Sequence, residues 1–143
     1  MFGLSSVTGT FSLTDGELVI NEPVTSSTVV ARADANSFAS KNNQRDKQVR
    51  SKTFLDAANH PDISFRSIQV ARHEGGWTLR GTLTVRGETA PVDFLVTQSE
   101  VNGPQVSIRA TGRVDRYAHG VTRMKGMAAR YLDLDLRAEF RKV

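Results

Sequence analysis

Alternation of apolar and polar residues is the feature that most limits what this chain can fold into. In residues 75–87, apolar side chains at every second position share one face, while threonines and arginines share the other. The same period of two recurs in residues 87–96, 104–116 and 131–142, and less regularly near the N-terminus. Such a period places successive side chains on opposite faces of a β-strand. The chain is therefore predicted to consist mainly of half-buried strands.

Short turn signals separate these strand-like segments. They are Asp15-Gly16, Gly75-Gly76, Gly87 and Asn102-Gly103, residue types that permit tight hairpins. Strands that are joined by hairpins and carry one apolar face predict an antiparallel sheet. A sheet of about seven or eight such strands must close or fold over to hide its edges. We therefore predict an all-β fold with a barrel-like sheet.

One segment, about residues 42–59, breaks the pattern and is predicted to be a helical insertion. Asn43 is placed to cap its start, Val49 is the only apolar residue of its first part, and Pro61 begins the next strand. In that strand the alternation shifts phase, which predicts a β-bulge near Ser67, with Ile68 and Val70 sharing a face beyond it. The polar side of the insertion is expected to face water while its apolar end covers one end of the barrel.

Composition and charge limit the range of possible functions further. The 143 residues predict one domain, residues 1–143, and the absence of cysteine excludes disulfides, thiolate metal sites and cysteine nucleophiles. No run of about 18 apolar residues occurs, so no transmembrane segment is predicted. Residues 1–40 carry a net charge of −3 and residues 41–143 a net charge of +7, which together give +4. The basic part favours anionic partners, or serves solubility alone.

Neither a catalytic nor a metal site can be recognised. His60, His73 and His119 lack the spacing of metal ligands and are expected in loops. Asp133 and Asp135, two residues apart on a strand, both point outward and make a poor catalytic pair. No motif of a nucleotide-binding protein or a hydrolase occurs, and the aromatic residues are not interleaved with basic ones as nucleic-acid binding requires. We expect no enzyme, no cofactor, no metal and no nucleic acid.

The interior can be filled or hollow. Small residues recur at inward positions, in residues 29–35 and at Ala110 and Gly112. Facing one another they leave a cavity lined by Trp77, Phe94 and Phe140; facing large residues they leave none. The pattern alone favours neither arrangement.

A basic segment near the C-terminus, residues 116–130, is the other candidate site. Flexible methionines suit contact with a pliable tail, and cations suit an anionic head group. The candidates are Met124 and Met127 for a tail, and Arg116, Arg123 and Lys125 for a head group. The competing interpretation is a solvated loop with a methionine tucked into the core.

Four stretches resemble the YceI-like family. They are "RDKQVRSKTFLDAANHPDISFRS", "GTLTVRGETAPV" (81–92), "ATGRVDRYAHGV" (110–121) and "LDLDLRAEF". The resemblance covers nearly the whole chain. It implies a lipocalin-like antiparallel β-barrel of about 7–8 strands with an inserted helix. It also implies an apolar ligand such as a polyisoprenoid, an isoprenoid quinone or a fatty-acyl compound, and no catalysis.

The sequence departs from that family at two places. The histidine-containing first strand that relatives usually carry would lie before residue 1, and Ala118 and His119 stand where relatives commonly have Asp and Phe. Two free sheet edges are then expected to pair in a homodimer. We expect a cytoplasmic protein, or a periplasmic or secreted one if the true N-terminus lies upstream.

The sequence thus predicts a non-enzymatic protein that binds, stores or transports a long-chain apolar lipid, with transient contact to a membrane surface. The competing hypothesis is a ligand-free interaction module that binds anionic partners or surfaces through its basic part. The candidate ligand-binding residues are Phe38, Phe54, Leu55, Phe65, Trp77, Leu83, Phe94, Ala110, Met124, Met127 and Phe140.

Overall fold

The computed structural model describes residues 10–74, 76–122 and 130–141, and for His73 the backbone alone. Seven strands make up most of it: β1 (Leu13–Val19), β2 (Thr28–Asp34), β3 (Asp62–His73), β4 (Gly76–Val85), β5 (Glu88–Asn102), β6 (Gln105–Asp115) and β7 (Tyr131–Arg141). A single α-helix, α1 (Asn43–Arg50), and three short 3₁₀ turns, Val24–Ser26, Ala35–Ser37 and Arg116–His119, complete the described elements. The predicted all-β fold with a short helix is confirmed.

The seven strands form one antiparallel sheet in the order of the sequence, β1 to β7, and this sheet curls into a half-barrel. Each strand reverses the direction of its neighbour, so β1 and β7 at the two edges run the same way. Strands β1, β3, β5 and β7 therefore begin at one end of the half-barrel, where β2 leads toward α1 and the 3₁₀ turn Arg116–His119 follows β6. We call this end the helical end.

The inward positions of the alternating strands form the hydrophobic core, as predicted. On β5, for example, Val92, Phe94 and Val96 are buried while Asp93 is exposed. The buried cluster comprises Leu18, Val29, Phe65, Val70, Leu79, Leu83, Val92, Phe94, Val96, Val106, Ala110, Val114 and Phe140. This concentration on one face follows from the period-2 geometry of a strand.

Local irregularities test the turn and bulge predictions. The register between β3 and β4 shifts between Ser67 and Gln69, which confirms the predicted bulge. The expectation that Ile68 faces inward with Val70 is wrong, because Ile68 is itself the extra residue and its side chain is 70% exposed. The turn predicted at Asp15-Gly16 is also wrong, since both residues lie within β1 beside another register shift.

The predicted insertion is helical only over α1, and turns follow it up to Asn59. The helix is capped by Asn42, whose side-chain oxygen accepts a hydrogen bond from the Arg45 backbone N–H at 3.1 Å. The sequence prediction placed this cap one residue too late. The buried residue of α1 is Asp46, whereas Val49 is only partly buried.

Candidate binding surface of the half-barrel

The inner face of the half-barrel is an apolar surface that is lined by aromatic rings. Phe65 on β3 and Phe94 on β5 meet edge to face with ring centroids 5.2 Å apart, and both are buried. This is a favourable geometry for two aromatic rings. Leu83, Ala110 and Phe140 belong to the same cluster. Five of the residues predicted to contact a ligand therefore lie together in the core.

Glycines on the inner face make room for these rings. A Cβ atom added at Gly112 would lie 2.5 Å from Cδ1 of Phe94, and one at Gly81 would lie 2.8 Å from the Phe65 ring. At Gly16 it would lie 3.0 Å from the Phe140 ring, across the two sheet edges. Small residues thus stand opposite large ones at three places. A glycine at an inward position of an alternating strand is the sequence signal for such an approach.

Other candidates lie at the margin of the core. Trp77 is partly buried against it, and the Arg72 guanidinium lies 5.6 Å from the Trp77 ring centroid. Phe38 packs on Phe11 with ring centroids 5.2 Å apart. Phe54 and Leu55 are partly buried in the turns after α1. Met124, Met127, Arg123 and Lys125 lie outside the described residues, and their predicted contacts stay predictions.

The two edge strands, β1 and β7, approach each other near Phe140 without pairing in the described ranges, which leaves a gap in the wall of the half-barrel. Away from the helical end, Leu18 of β1 and Phe140 of β7 are buried, and Phe140 reaches Gly16. Toward the helical end, Leu13 and Leu132 are exposed. No ladder joins β1 to β7 within the described ranges. We call this gap the β1–β7 slot.

The alternation predicts that the apolar residues of β7 all face the interior of the barrel. Their burial shows that this interior is closed over only part of the strand. Only Phe140 is buried; Leu134 and Ala138 are partly buried, and Leu132 and Leu136 are exposed. The alternation assigned the correct face, but burial also requires an element opposite that face. Among the described residues, β1 approaches β7 at Phe140, whereas Leu132 and Leu136 in the first half of β7 are exposed.

Of the three residues predicted to contact a head group, Arg116 is the one that lies within the described residues. Its side chain is buried in the protein. Its guanidinium is buried and donates a hydrogen bond from Nη1 to the Val121 carbonyl at 2.8 Å. It also lies 5.0 Å from the Tyr117 ring centroid. These contacts stabilise the turn after β6. Contact between Arg116 and a head group would require this turn to rearrange.

A polar cleft of about 400 Å³ lies at the helical end. It is lined by Asp56, His60, Arg86, Gly87, Glu88, His119 and Gly120. His119 is buried, with Nε2 2.9 Å from the Leu83 carbonyl oxygen and Nδ1 3.3 Å from that of Asp115. The shorter contact, between Nε2 and the Leu83 carbonyl oxygen, ties the imidazole to β4. The spacing of His60 and His119 in the sequence contains no signal for this shared cleft.

Ser40 ties the start of α1 to the segment that precedes it. The hydroxyl and backbone N–H of Ser40 both donate to the carboxylate of Asp46, and Arg45 donates from Nε to the Ser40 hydroxyl oxygen at 3.0 Å. The side-chain hydrogen bond from Ser40 is the main cause that holds the pKa of Asp46 below its ordinary value, while burial opposes it. Arg45 and Asp46 thus position the start of α1.

Ion pairs cover the outer face of the last two strands. Arg109 on β6 pairs with Asp135 on β7 at 2.8 Å, and Arg113 pairs with Asp133 at 2.8 Å. Hydrogen bonds from these guanidiniums hold the pKa of both aspartates below the ordinary value. These carboxylates therefore act as cross-strand partners, consistent with the sequence argument against a catalytic pair.

The described part of the chain contains neither a cluster of metal-binding side chains nor a membrane-spanning helix. No group of three or more histidine, cysteine, aspartate or glutamate side chains there could hold a metal ion. No helix in the same part is long and apolar enough to cross a membrane.

A curled antiparallel sheet with an apolar inner face defines a lipocalin-like class of binding fold. The YceI-like domain model matches residues 1–140, and the chain belongs to the YceI-like family. It is 30% identical over 144 residues to a UPF0312 protein of Vibrio cholerae, covering 96% of this chain and 75% of that one. It is 29% identical over 147 residues to a UPF0312 protein of Yersinia enterocolitica, covering 96% and 74%.

Solved structures show the same fold. BcnA of Burkholderia cenocepacia superposes with a TM-score of 0.77 at 21% identity, covering 92% of this chain and 86% of that one. The YceI protein of Campylobacter jejuni superposes with a TM-score of 0.76 at 18% identity, covering 100% and 89%. The predicted family and fold are thereby confirmed.

Proposed function

We propose that this protein binds a long-chain apolar lipid on the inner face of the half-barrel and carries or stores it without chemical change. A polyisoprenoid, an isoprenoid quinone or a fatty-acyl compound fits this proposal. The observation that carries it is the apolar inner face: the buried core around Phe94 and Phe140 extends to the partly buried Leu134 and Ala138 of β7, and the exposed Leu132 and Leu136 lie on the same face of that strand. Membership of a family that generally has a binding fold supports the same function.

The energetics are compatible with reversible binding. Burying about 400 Å² of tail contributes roughly 10 kcal/mol at about 25 cal/mol per Å². Association costs of about 4–15 kcal/mol offset much of this. A dissociation constant in the micromolar range is therefore expected, which suits a carrier that must also release its ligand.

The contact residues in this proposal are the aromatic and aliphatic side chains of the inner face, with Phe65, Leu83, Phe94, Ala110 and Phe140 at its centre. Trp77, which is partly buried, would contact the ligand at the margin of this surface. Phe38, Phe54 and Leu55 lie toward the helical end, where the tail would emerge. Head-group contacts by Arg116, Arg123 or Lys125 and tail contacts by Met124 or Met127 remain part of the proposal.

The test is organic extraction of the purified protein followed by mass spectrometry. A stoichiometric long-chain lipid from the wild type is expected. Ala110→Phe should abolish it, because Ala110 is buried on the inner face of β6. Thr111→Phe, on the exposed outer face of the same strand, is the matched control and should retain the lipid. Equal lipid retention by two folded variants would overturn the proposal.

A second candidate is a ligand-free module that binds anionic partners through the basic part of the chain. The filling of the inner face favours it, since glycines at positions 16, 81 and 112 let aromatic rings occupy space that a ligand would need. If this candidate is correct, the organic extract contains no lipid. The protein should then bind an anionic surface, and this binding should weaken as salt is added.

The predicted homodimer and compartment stay predictions. The outer edge of β7 offers eleven residues and that of β1 seven, without a ladder partner in the described ranges. Light scattering at micromolar concentration separates a dimer from a single species near the 15.7 kDa chain mass. Cell fractionation tests the cytoplasmic placement.

A further inference from the structure

The β-bulge of β3 changes which side chains of that strand face the core. Before the bulge, Phe65 is buried and Arg66 is exposed, so the odd-numbered residues face inward. Beyond the bulge, Val70 is buried, so the even-numbered residues face inward. Because the extra residue of the bulge reverses the alternation, Arg72 lies on the inner face, two residues beyond Val70. A regular strand would have placed Arg72 on the outer face.

The neighbours of Arg72 on β4 agree with this direction. Arg72 pairs with Trp77, just as Val70 pairs with Leu79. Residues directly opposite each other on paired strands have their side chains on the same face. Leu79 is buried in the core and Trp77 packs against it. The guanidinium carbon of Arg72 lies 5.6 Å from the Trp77 ring centroid, which is within the range of a cation–π contact.

Arg72 carries the charge of an otherwise uncharged surface. The remaining inward positions of β3 and β4 hold apolar or uncharged polar residues. Arg72 is exposed and forms no ion pair with a described residue, and neither does Glu74 in the following turn. Arg72 lies beside the hairpin between β3 and β4, at the end of the half-barrel away from the helical end. The inner face therefore has a positive charge at this hairpin that no described carboxylate pairs with.

An arginine beside a tryptophan suits one kind of ligand group. The guanidinium presents a planar fork of N–H donors that matches a carboxylate or a phosphate, and contact with one ring leaves donors free for it. Tryptophan has an apolar body and a polar N–H, so it suits the boundary between a lipid tail and its head group. From Trp77 the apolar inner face continues to Leu79 and the rest of the core. A lipid whose tail lies on that face can bring its head group to Arg72.

We propose that Arg72, turned inward by the bulge and placed against Trp77, binds the anionic head group of the apolar ligand, a carboxylate or a phosphate. This inference rests on the proposed function and adds the chemical class and the orientation of the ligand. The head group lies at the hairpin between β3 and β4, and the tail runs toward the helical end. A head group at Arg116, which follows β6 at the helical end, would require the opposite orientation.

Tryptophan fluorescence tests the proposal, because Trp77 is the one tryptophan of the chain. The probes are hexadecanoic acid, hexadecyl phosphate and hexadecanol, which share a tail and differ in the head group. The wild type should bind both anions more tightly than the alcohol. Arg72→Gln should lower the affinity for the anions by about tenfold and change the affinity for the alcohol by less than about twofold. The anion that binds more tightly identifies the head group that the site prefers.

Two further variants are the controls. Arg66→Gln removes an exposed arginine from the outer face of the same strand, and it should change each affinity by less than about twofold. Arg72→Lys keeps the charge but lacks the planar fork, so it should lose less affinity for the anions than Arg72→Gln.

The orientation can be measured on the wild type alone. Bromine quenches tryptophan fluorescence at short range. Hexadecanoic acid that is brominated next to its carboxylate should therefore quench Trp77 more strongly than the acid that is brominated at the end of its tail.

The results separate this inference from the proposed function. Equal losses for Arg72→Gln and Arg66→Gln, or stronger quenching by the tail-brominated acid, would overturn the head-group site and leave lipid binding intact. A wild type that binds the alcohol as tightly as the anions would do the same. Failure of all three lipids to bind would overturn the proposed function and this inference together.

Discussion

Replacing Gly112 by alanine tests whether the glycines of the inner face exist to admit aromatic rings. The added Cβ would lie 2.5 and 2.7 Å from two atoms of the Phe94 ring and 2.9 Å from the Asp93 carbonyl oxygen. Carbon atoms pack best at about 3.5–4.0 Å, so the overlap with the ring is about 1 Å. The ring cannot withdraw freely, because Phe65 packs against it edge-on.

The size of the effect follows from two opposing contributions. Overpacking of a tight core typically costs about 1–3 kcal/mol. Loss of glycine's freedom in the unfolded chain returns about 0.4–1 kcal/mol where the backbone is unstrained. Gly112→Ala should therefore lower the free energy of unfolding by about 1–2 kcal/mol. With a urea m-value of about 2 kcal/mol per molar, the midpoint shifts downward by roughly half to one molar.

A double-mutant cycle identifies Phe94 as the cause. In a Phe94→Leu background the ring is gone, so Gly112→Ala should cost about 1 kcal/mol less than in the wild type. Val106→Ala is the control, because Val106 lies in the same strand but six residues away, roughly 20 Å along β6. Its effect should add to that of Gly112→Ala. Equal additivity in both cycles would refute the reasoning.

Three further outcomes are expected. Gly81→Ala should destabilise more than Gly112→Ala, because its Cβ would also lie 2.3 Å from a backbone carbonyl oxygen that cannot rotate away; an equal urea midpoint would contradict this. His119→Ala should lower the free energy of unfolding by about 1–3 kcal/mol, since the buried Leu83 carbonyl loses its partner; unchanged stability would show that water replaces the imidazole. Because hydrogen bonds from Ser40 lower the pKa of Asp46, its stabilising contribution is present at neutral pH and lost as pH falls below the ordinary aspartate value of about 4. Urea titrations should then show a smaller acid-induced loss for Asp46→Asn, and an identical loss would count against this role.

Much of the sheet could be predicted because the evidence for it is local. Period-2 alternation assigned the inward faces of β4, β5 and β6, and the phase slip located the bulge beside Ser67. Errors arose where two local signals conflict. Asp15-Gly16 has the composition of a turn, yet it continues β1 because its neighbours pair with β2 and Gly16 admits the Phe140 ring.

The candidate site was only partly predictable. The residues that share the core followed from their faces, but the contact between His119 and the Leu83 carbonyl joins positions 36 residues apart. The burial of Asp46 depends in the same way on Ser40 folding back over the start of α1. Contacts of this kind depend on the path of the chain, and no short sequence window contains that path.

By itself, the sequence determined that this chain folds as an antiparallel sheet with one apolar face and one helical insertion, since side-chain direction in a strand depends only on residue parity. Only the tertiary structure decided how far the sheet closes. Curvature accumulates over all seven strands, and it brings β1 onto Phe140 while Leu132 and Leu136 of the same strand stay exposed. The same alternating pattern is therefore core at one end of β7 and open apolar surface at the other.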